Sequence, residues 1–175
     1  MSLAQYLQDA WYKQASWLIV LRPLSWLYGL GFRLNRHLYQ SGCKSTYTAP
    51  VPVMVIGNIT VGGSGKTPLL IQLVKYLQQQ QIRVGVISRG YGGSGPFPLL
   101  VTSEVEAAVA GDEPCLIVQS TGVPMAVGAN RQAAIALLLQ STELDLIISD
   151  DGLQHWALAR QIEWIVLDQN RGLGN

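Results

Sequence analysis

A chain of 175 residues can bury one sizeable core, so its length indicates one domain or a part of a larger protein. Charged residues make up only 13% of it and hydrophobic residues 49%, and the net charge of +1 gives no reason to expect a nucleic-acid partner. Cys43 and Cys115 have no partners at metal-ligand spacing. Neither a disulfide framework nor a zinc site is therefore indicated, and a reducing compartment fits.

Residues 1–48 are predicted to form an N-terminal amphipathic helical region. Before Tyr47 there are five Lys or Arg against one acid, together with eight of the fourteen aromatic residues. A helix from Leu24 to Leu38 would place its apolar residues on one side and Arg33 and Arg36 on the other. The uncharged stretches are too short to span a membrane, and no signal-peptide pattern is present. The pattern is typical of an interfacial helix, but it fits equally a helix packed on the domain with a solvated basic face.

Residues 49–175 are predicted to form one α/β domain. The predicted strands are Val53 to Gly57, Val84 to Ser88, Leu99 to Thr102, Met125 to Val127, Leu146 to Ser149 and Trp164 to Leu167. The predicted helices are Lys66 to Leu77, Glu104 to Ala110, Glu113 to Ser120 and Arg131 to Gln140. Ser103 and Glu106 would form a capping box for the second helix, and Gly122 would end the third. Apolar strands that alternate with helices indicate a mostly parallel sheet with helices on both faces.

The sequence "NITVGGSGKTP", Asn58 to Pro68, joins the first strand to the first helix. Glycines let backbone N–H groups close on phosphate oxygens, and a helix N-terminus adds positive potential, so we predict a P-loop NTPase-like fold. Lys66 would reach the β- and γ-phosphates of ATP, and Thr67 would ligate Mg²⁺. The predicted phosphate-binding residues are Thr60, Val61, Gly62, Gly63, Ser64, Gly65, Lys66 and Thr67. Thr60 departs from the pattern GxxxxGK(S/T), and the alternative is a glycine-rich turn without a ligand.

A second candidate motif is "LIISDDGLQH", Leu146 to His155. An apolar strand that delivers Asp150 at its C-terminal end is typical of the second nucleotide motif, in which a carboxylate holds Mg²⁺ or its water. Asp151 strengthens the metal interpretation because adjacent carboxylates repel each other unless a cation compensates. His155 follows the metal acid by five residues and is predicted to belong to the site, although a surface-loop histidine is the simpler interpretation by residue type.

The third candidate is "GDEP", Gly111 to Pro114. Its two acids come directly before a proline at a predicted helix start. On pattern alone, Asp112 is more simply a residue of an ordinary helix N-terminus than a catalytic group.

The motifs "GNITVGGSGKTP", "SRGYGG", "GDEP" and "DDGLQH" occur in this order in the tetraacyldisaccharide 4'-kinase family, the lipid A 4'-kinases of Gram-negative bacteria, and the whole chain resembles that family. The threonine at position 60 is the family's own form of the loop. "RPLSWLYG", Arg22 to Gly29, resembles the family's membrane-associating helix. The resemblance implies transfer of the ATP γ-phosphate to the 4'-hydroxyl of a tetraacylated glucosamine disaccharide 1-phosphate. It also implies a peripheral or monotopic location at the cytoplasmic face of the inner membrane, with no nucleic acid and no protein partner indicated.

The resemblance also implies roles for individual residues. Asp112 would be the catalytic base, paired with a histidine from the C-terminal part of the enzyme that by motif is neither His37 nor His155. Asp150 would join Thr67 on Mg²⁺, and Glu113 would assist with metal or water. Asp151 and His155 would organise the nucleotide and acceptor sides of the site. Family members are longer than this chain, so we expect it to be the N-terminal half and to be inactive alone.

Two other classes of function remain as alternatives. A switch GTPase would share the phosphate loop, but the NKxD and DxxG motifs that it needs are absent from the sequence. A nucleotide-binding membrane adaptor without kinase activity needs only the features already described, and turnover would separate it from a kinase.

Overall fold

The structure, a computed structural model, describes residues 10, 15–59, 65–167 and 169. Six strands form one sheet: β1 Val53–Asn58, β2 Val84–Ser88, β3 Leu99–Val101, β4 Met125–Val127, β5 Leu146–Asp150 and β6 Ile162–Val166. A 3₁₀ segment, Ser16–Leu21, leads into the helices, which are α1 Arg22–Gln40, α2 Lys66–Gln79, α3 Ala107–Ala110, α4 Asp112–Thr121 and α5 Arg131–Ser141. Apart from the start of α3, the predicted elements are confirmed with ends that move by two residues or fewer.

The predicted capping box at the start of α3 is wrong. Ser103 lies in a turn, and α3 begins only at Ala107, with Glu106 extended at its N-cap position and no side chain capping the helix. The turn is closed by a hydrogen bond from the Val105 amide to the carbonyl of Thr102. It brings Val105 against the core, so burial of this apolar side chain overrides the local helix signal.

The strand order is β3-β4-β2-β5-β1-β6. All neighbouring pairs are parallel except β3 and β4, so the sheet is mostly parallel, as the sequence predicts. Successive residues of β1 point to opposite faces. Met54 and Ile56 join one buried cluster with α2 and α4, whereas Val53 and Val55 join a second cluster with α5. Helices therefore cover both faces of the sheet.

Helix α1 lies outside both buried clusters. No residue of α1 is buried, and on its predicted apolar side Leu24, Leu27 and Leu34 are more than half exposed, whereas Leu38 is partly covered. The described residues therefore leave most of this apolar side exposed. Within residues 15–59 and 65–167, no helix combines the length and the apolar character that crossing a membrane requires.

The parallel order brings four chain segments to one edge of the sheet. The carboxyl ends of β1, β2, β4 and β5 lie side by side, and residue 56 in β1 pairs with residue 150 in β5. The segments that leave these ends carry Lys66, Arg89, Arg131 and Asp150. In open α/β sheets ligands bind at this edge, so the fold determines where a site can form.

Candidate active site

Helix α2 begins directly at the phosphate-binding motif. Lys66 is its first residue and Thr67 its second, and Gly65 occupies the N-cap position with a left-handed backbone, φ 74°. Glycine accepts this conformation without the steric penalty that a side chain would bring. The predicted ligands Thr60, Val61, Gly62, Gly63 and Ser64 lie outside the described residues. The described part of the motif thus delivers a lysine and a hydroxyl in the first turn of a helix.

The Lys66 ammonium faces both carboxylates of the second motif. Its Nζ is 3.0 Å from Oδ1 of Asp151 and 3.6 Å from Oδ1 of Asp150. The side chain of Asp150 is 2% exposed, whereas that of Asp151 is 64% exposed. The structure therefore brings the two predicted nucleotide motifs together around one cation.

The electrostatics of this cluster are dominated by burial. Burial raises the pKa of Asp150, an effect that the Lys66 charge opposes and that Glu113 and Asp151 reinforce. Burial acts in the opposite direction on Lys66, but the negative charges of Asp150, Asp151 and Glu113 outweigh it and raise the pKa of the ammonium. Lys66 is thus held as a cation in surroundings that disfavour an isolated charge.

The donor set at Asp150 suits Mg²⁺. Oδ1 of Asp150 is buried and has no hydrogen-bond donor among the described residues. No group of three or more His, Cys, Asp or Glu side chains in the described part of the chain could enclose a metal alone. Mg²⁺ does not need such a cage, because it is commonly bound by one or two carboxylates together with water and phosphate oxygens. Asp150, with the Thr67 hydroxyl in the first turn of α2, fits this arrangement.

Asp151 turns the chain away from β5. Its backbone is left-handed, φ 53°, and its amide donates to the carbonyl of Ile56 at 2.8 Å. This conformation is uncommon for a residue with a side chain and is tolerated best by Asn and Asp. It leads the chain to His155, which the structure places in the same cavity as Asp151.

This cavity of about 820 Å³ opens beside the carboxyl ends of the strands. Arg89, Arg131 and Arg160 line it together with His155, and Phe32 from α1 lies at its border. Burial lowers the pKa of His155, and the charges of Arg131, Arg160 and Arg89 lower it further. Asp151 and Glu163 line the cavity as well, and Glu163 pairs with Arg160. The three arginines outnumber these two acids, so the walls carry a small excess of positive charge and favour a neutral imidazole.

Arg131 contributes a buried cation. It is 4% exposed, and its guanidinium donates to the carbonyl of Gly128 at 2.9 Å and to the carbonyl of Asp150 at 3.3 Å. Burial lowers the pKa of Arg131, while Asp150 and Asp151 counteract the shift. The first residue of α5 is thereby tied to the end of β5.

Asp112 and Glu113 are the first two residues of α4, and both are exposed. Gly111, not Asp112, holds the N-cap position, and no side chain caps the helix. Asp112 thus lies in the first turn of a helix, as the pattern predicted, although it does not cap the helix. Glu113 lies within electrostatic range of Lys66 and Asp150. The third motif thus belongs to the same edge of the sheet as the other two.

The "SRGYGG" segment supports the turn that precedes Asp112. Directly after this segment, the amides of Ser94 and Gly95 donate to the carbonyls of Ala108 and Val109, each at 3.0 Å. At Gly93 an added Cβ would lie 2.4 Å from the carbonyl oxygen of Val109. Only glycine permits this approach, so the segment packs its backbone directly against α3.

Sequence reasoning missed Arg89 and Arg131. Arg89 directly follows β2, and the carboxyl end of a predicted parallel strand was a usable signal for it. Arg131 opens a helix, where a positive charge is unfavourable because it faces the positive end of the helix dipole. A basic residue at such a position indicates that another group compensates its positive charge.

We expect His155 to make stability depend on pH. Because its folded-state pKa lies below the ordinary value of 6.5, the unfolded chain binds a proton that the folded chain does not. The stabilisation is complete above pH 6.5 and is lost as the pH falls below it. Thermal denaturation at pH 7.5 and 5.5 should therefore show a larger loss for the natural protein than for His155→Gln. An equal loss in both proteins would contradict the shift.

Gly93→Ala should loosen the turn before Asp112. The new methyl group would meet backbone, so α3 must move, and overpacking of this kind costs about 1–3 kcal/mol. Hydrogen exchange of residues 107–115 should become faster. Gly92→Ala is the matched control: its φ of 82° brings strain, but no atom lies within 4 Å of the added methyl group. Similar exchange at residues 107–115 in the two variants would show that the contact is not what holds the turn.

The chain is similar to a family of known kinases. Residues 17–175 match the model of the family described as LpxK, tetraacyldisaccharide-1-P 4'-kinase. The tetraacyldisaccharide 4'-kinase of Psychrobacter cryohalolentis is 60% identical, and the match covers 100% of this chain and 48% of that protein. The tetraacyldisaccharide 4'-kinase of Azotobacter vinelandii is 50% identical, and the match covers 100% of this chain and 53% of that protein. The chain spans about half the length of these curated relatives.

The fold is likewise shared with a solved structure. A crystal structure of LpxK from Aquifex aeolicus in complex with ATP superposes with a TM-score of 0.76 and 33% sequence identity, over 83% of this chain and 47% of the other. The P-loop NTPase-like α/β fold that the sequence predicts is therefore confirmed. Because the family model matches nearly the whole chain, this protein belongs to the tetraacyldisaccharide-1-P 4'-kinase family.

Proposed function

We propose that the full-length protein transfers the γ-phosphate of ATP to the 4'-hydroxyl of tetraacyldisaccharide 1-phosphate, a step of lipid A biosynthesis. The observation that carries the proposal is the position of Lys66, at the N-terminus of α2 and within 4 Å of both Asp150 and Asp151. Membership in the kinase family and likeness to an LpxK that binds ATP support the choice of reaction.

In this proposal Lys66 moves from its carboxylates to the transferred phosphate. The ammonium is already charged and largely removed from water, so little reorganisation is needed when a more strongly negative group arrives. Asp151, whose side chain is mostly exposed, can swing away to release it. The loop from Thr60 to Gly65 would add backbone N–H groups to the phosphates.

Asp150 and Thr67 would hold Mg²⁺, with Glu113 near enough to act on the metal or its water. Held by these residues, Mg²⁺ would supply positive charge against the negative charge that develops during transfer. Asp150 is suited to this role because its buried carboxylate has an oxygen without a hydrogen-bond donor among the described residues. Arg131 fixes the end of β5 through the Asp150 carbonyl, which keeps the carboxylate aimed at the edge of the sheet.

Asp112 is proposed as the base that takes the proton of the acceptor hydroxyl. It is exposed beside Glu113 and follows the turn that the "SRGYGG" segment supports. A histidine from the C-terminal half would orient and assist it. The cavity of His155, Arg89 and Arg160 lies on the acceptor side and would receive polar or anionic parts of the lipid.

Helix α1 is proposed to lie on the cytoplasmic face of the inner membrane. Its uncovered apolar side chains, among them Trp26, Leu27 and Leu30, are 65–75% exposed. Arg33 and Arg36 lie on the same helix and are exposed as well. An apolar surface flanked by positive charge is what an anionic lipid surface attracts, and it would deliver the enzyme to a lipid acceptor.

Two substitutions test the proposed chemistry. Full-length protein is incubated with labelled ATP and tetraacyldisaccharide 1-phosphate, and the 4'-phosphorylated product is measured. Asp112→Asn should lower kcat by roughly 10² to 10⁴ with nucleotide affinity nearly unchanged, because only proton transfer is lost. Asp150→Asn should weaken nucleotide binding and raise the Mg²⁺ requirement as well as slow turnover, because a metal ligand is lost.

The two variants serve as each other's control, since each replaces one carboxylate with an amide of similar shape. A silent Asp112→Asn would remove this residue from the mechanism. A full-length natural protein that binds ATP but never phosphorylates the lipid would instead favour the non-catalytic adaptor.

Arg33→Glu should weaken binding to vesicles that contain anionic lipid. Reversal of one charge near a lipid surface is expected to lower the partition coefficient about tenfold at low salt and less at high salt, because salt screens the attraction. Lys75→Glu is the control, since it makes the same change at an exposed site on α2. Vesicle sedimentation measures both variants, and an equal loss would contradict a lipid-facing α1.

A further inference from the structure

Trp156, which directly follows His155, lies between two arginines from different parts of the chain. The guanidinium carbon of Arg36 in α1 is 5.6 Å from the ring centroid of Trp156, and that of Arg160 is 5.2 Å away. Phe32, one turn before Arg36, meets the same indole edge-on at 6.1 Å with an interplanar angle of 67°. We call Phe32, Arg36, Trp156 and Arg160 the Trp156 clamp.

One side of the clamp is fixed to the loop that carries site residues. The guanidinium of Arg160 donates to the carbonyl of His155 at 2.9 Å and to the carbonyl of Leu153 at 3.1 Å, and it pairs with Glu163 in β6. Arg160 is therefore tied to the backbone of the Asp151–Trp156 segment. The Trp156 ring is thereby connected through Arg160 to the backbone of His155. The turn closed by the His155 amide on the Gly152 carbonyl connects His155 in turn to Asp151.

The other side of the clamp belongs to α1. Because no residue of α1 is buried, the orientation of this helix depends on a few surface contacts. Phe32 also borders the cavity that Asp151 and His155 line from the opposite side. The clamp thus joins α1 to the site loop at the border of this cavity, which Phe32, Trp156 and Arg160 also line.

We propose that Arg36 and Trp156 are positioning residues that couple α1 to the Asp151–His155 loop, so that the lipid-facing helix and the phosphate-proximal loop present the acceptor as one unit. This inference rests on the proposed function, because it assigns the clamp to the acceptor and not to ATP. Cation–π and aromatic contacts of this kind each shift an equilibrium by a factor of roughly two to ten. The clamp is therefore strong enough to favour one arrangement of α1 relative to the Asp151–His155 loop. It is also weak enough for that arrangement to change when the acceptor binds.

A double-mutant cycle on the full-length protein tests the coupling. The acceptor is tetraacyldisaccharide 1-phosphate in detergent micelles, so that vesicle binding does not contribute. Arg36→Ala and Trp156→Leu should each raise the KM for the acceptor about five- to tenfold, with the KM for ATP and the melting temperature nearly unchanged. The double variant should be no worse than Trp156→Leu alone, because Trp156→Leu already removes the contact that Arg36 makes.

Arg33→Ala is the matched control. Arg33 carries the same charge on the same helix, and no contact from it to another side chain is found in the described part of the chain. Its effect should multiply with that of Trp156→Leu. Trp156→Tyr should restore most of the acceptor KM, because it keeps an aromatic face for both arginines.

Several results would overturn the clamp. One is independent, multiplicative effects of Arg36→Ala and Trp156→Leu. Another is a parallel rise in both KM values with a loss of melting temperature, which would indicate a purely structural contact. Hydrogen exchange of residues 152–160 adds a readout without turnover: it should become faster in Arg36→Ala and stay unchanged in Arg33→Ala. If the natural protein has no kinase activity, the proposed function fails, and the exchange result still decides whether α1 is coupled to the loop.

Discussion

The ion cluster of Lys66 with Asp150 and Asp151 is the constraint on which the site depends. Asp150 is almost completely removed from water, and a buried carboxylate is costly unless a cation or a donor compensates it. Lys66 supplies that cation from the N-terminus of α2, across the β1–β5 pair. Removal of Lys66 would leave the buried Asp150 carboxylate without this cation, whereas Lys66 keeps Asp151 at 3.0 Å as a second partner. The cluster therefore holds the N-terminus of α2 against the end of β5, where the proposed function places the nucleotide.

The neighbouring elements are arranged around this cluster. Arg131 joins α5 to the end of β5 through a backbone carbonyl and leaves the Asp150 carboxylate free. On the other side, the backbone of the "SRGYGG" segment supports α3 and thereby the start of α4. Neither contact requires a reacting group. Both contacts position neighbouring side chains at the carboxyl edge of the sheet. This explains how the "SRGYGG" segment, which has no acidic residue, contributes to the site.

Helix α1 is attached to the domain more weakly than the other long helices are. The strands and α2, α4 and α5 are held by two buried clusters, whereas α1 touches the domain mainly at its C-terminal half through polar and aromatic contacts. Such contacts are weak individually and reversible. Attachment of this kind suits both the proposed binding of α1 to a lipid surface and its proposed coupling to the loop after β5. Such weak attachment would be unfavourable for a core helix, because it would leave apolar surface exposed to water.

The sequence by itself determined the elements whose signals are local. β-Branched apolar runs predicted the strands, and the glycine-lysine-threonine turn predicted the start of α2. The C-terminal end of an apolar strand predicted that Asp150 belongs to the same nucleotide site, and the structure brings Lys66 and Asp150 together. Tertiary structure decided what depends on distant partners: the delayed start of α3, where Val105 packs on the core, the antiparallel β3, and the approach of Arg89, Arg131 and Trp156 to the site. Periodicity shows that α1 has an apolar side, but only the packed chain shows that the described residues leave most of it exposed, because burial depends on neighbours that are remote in sequence.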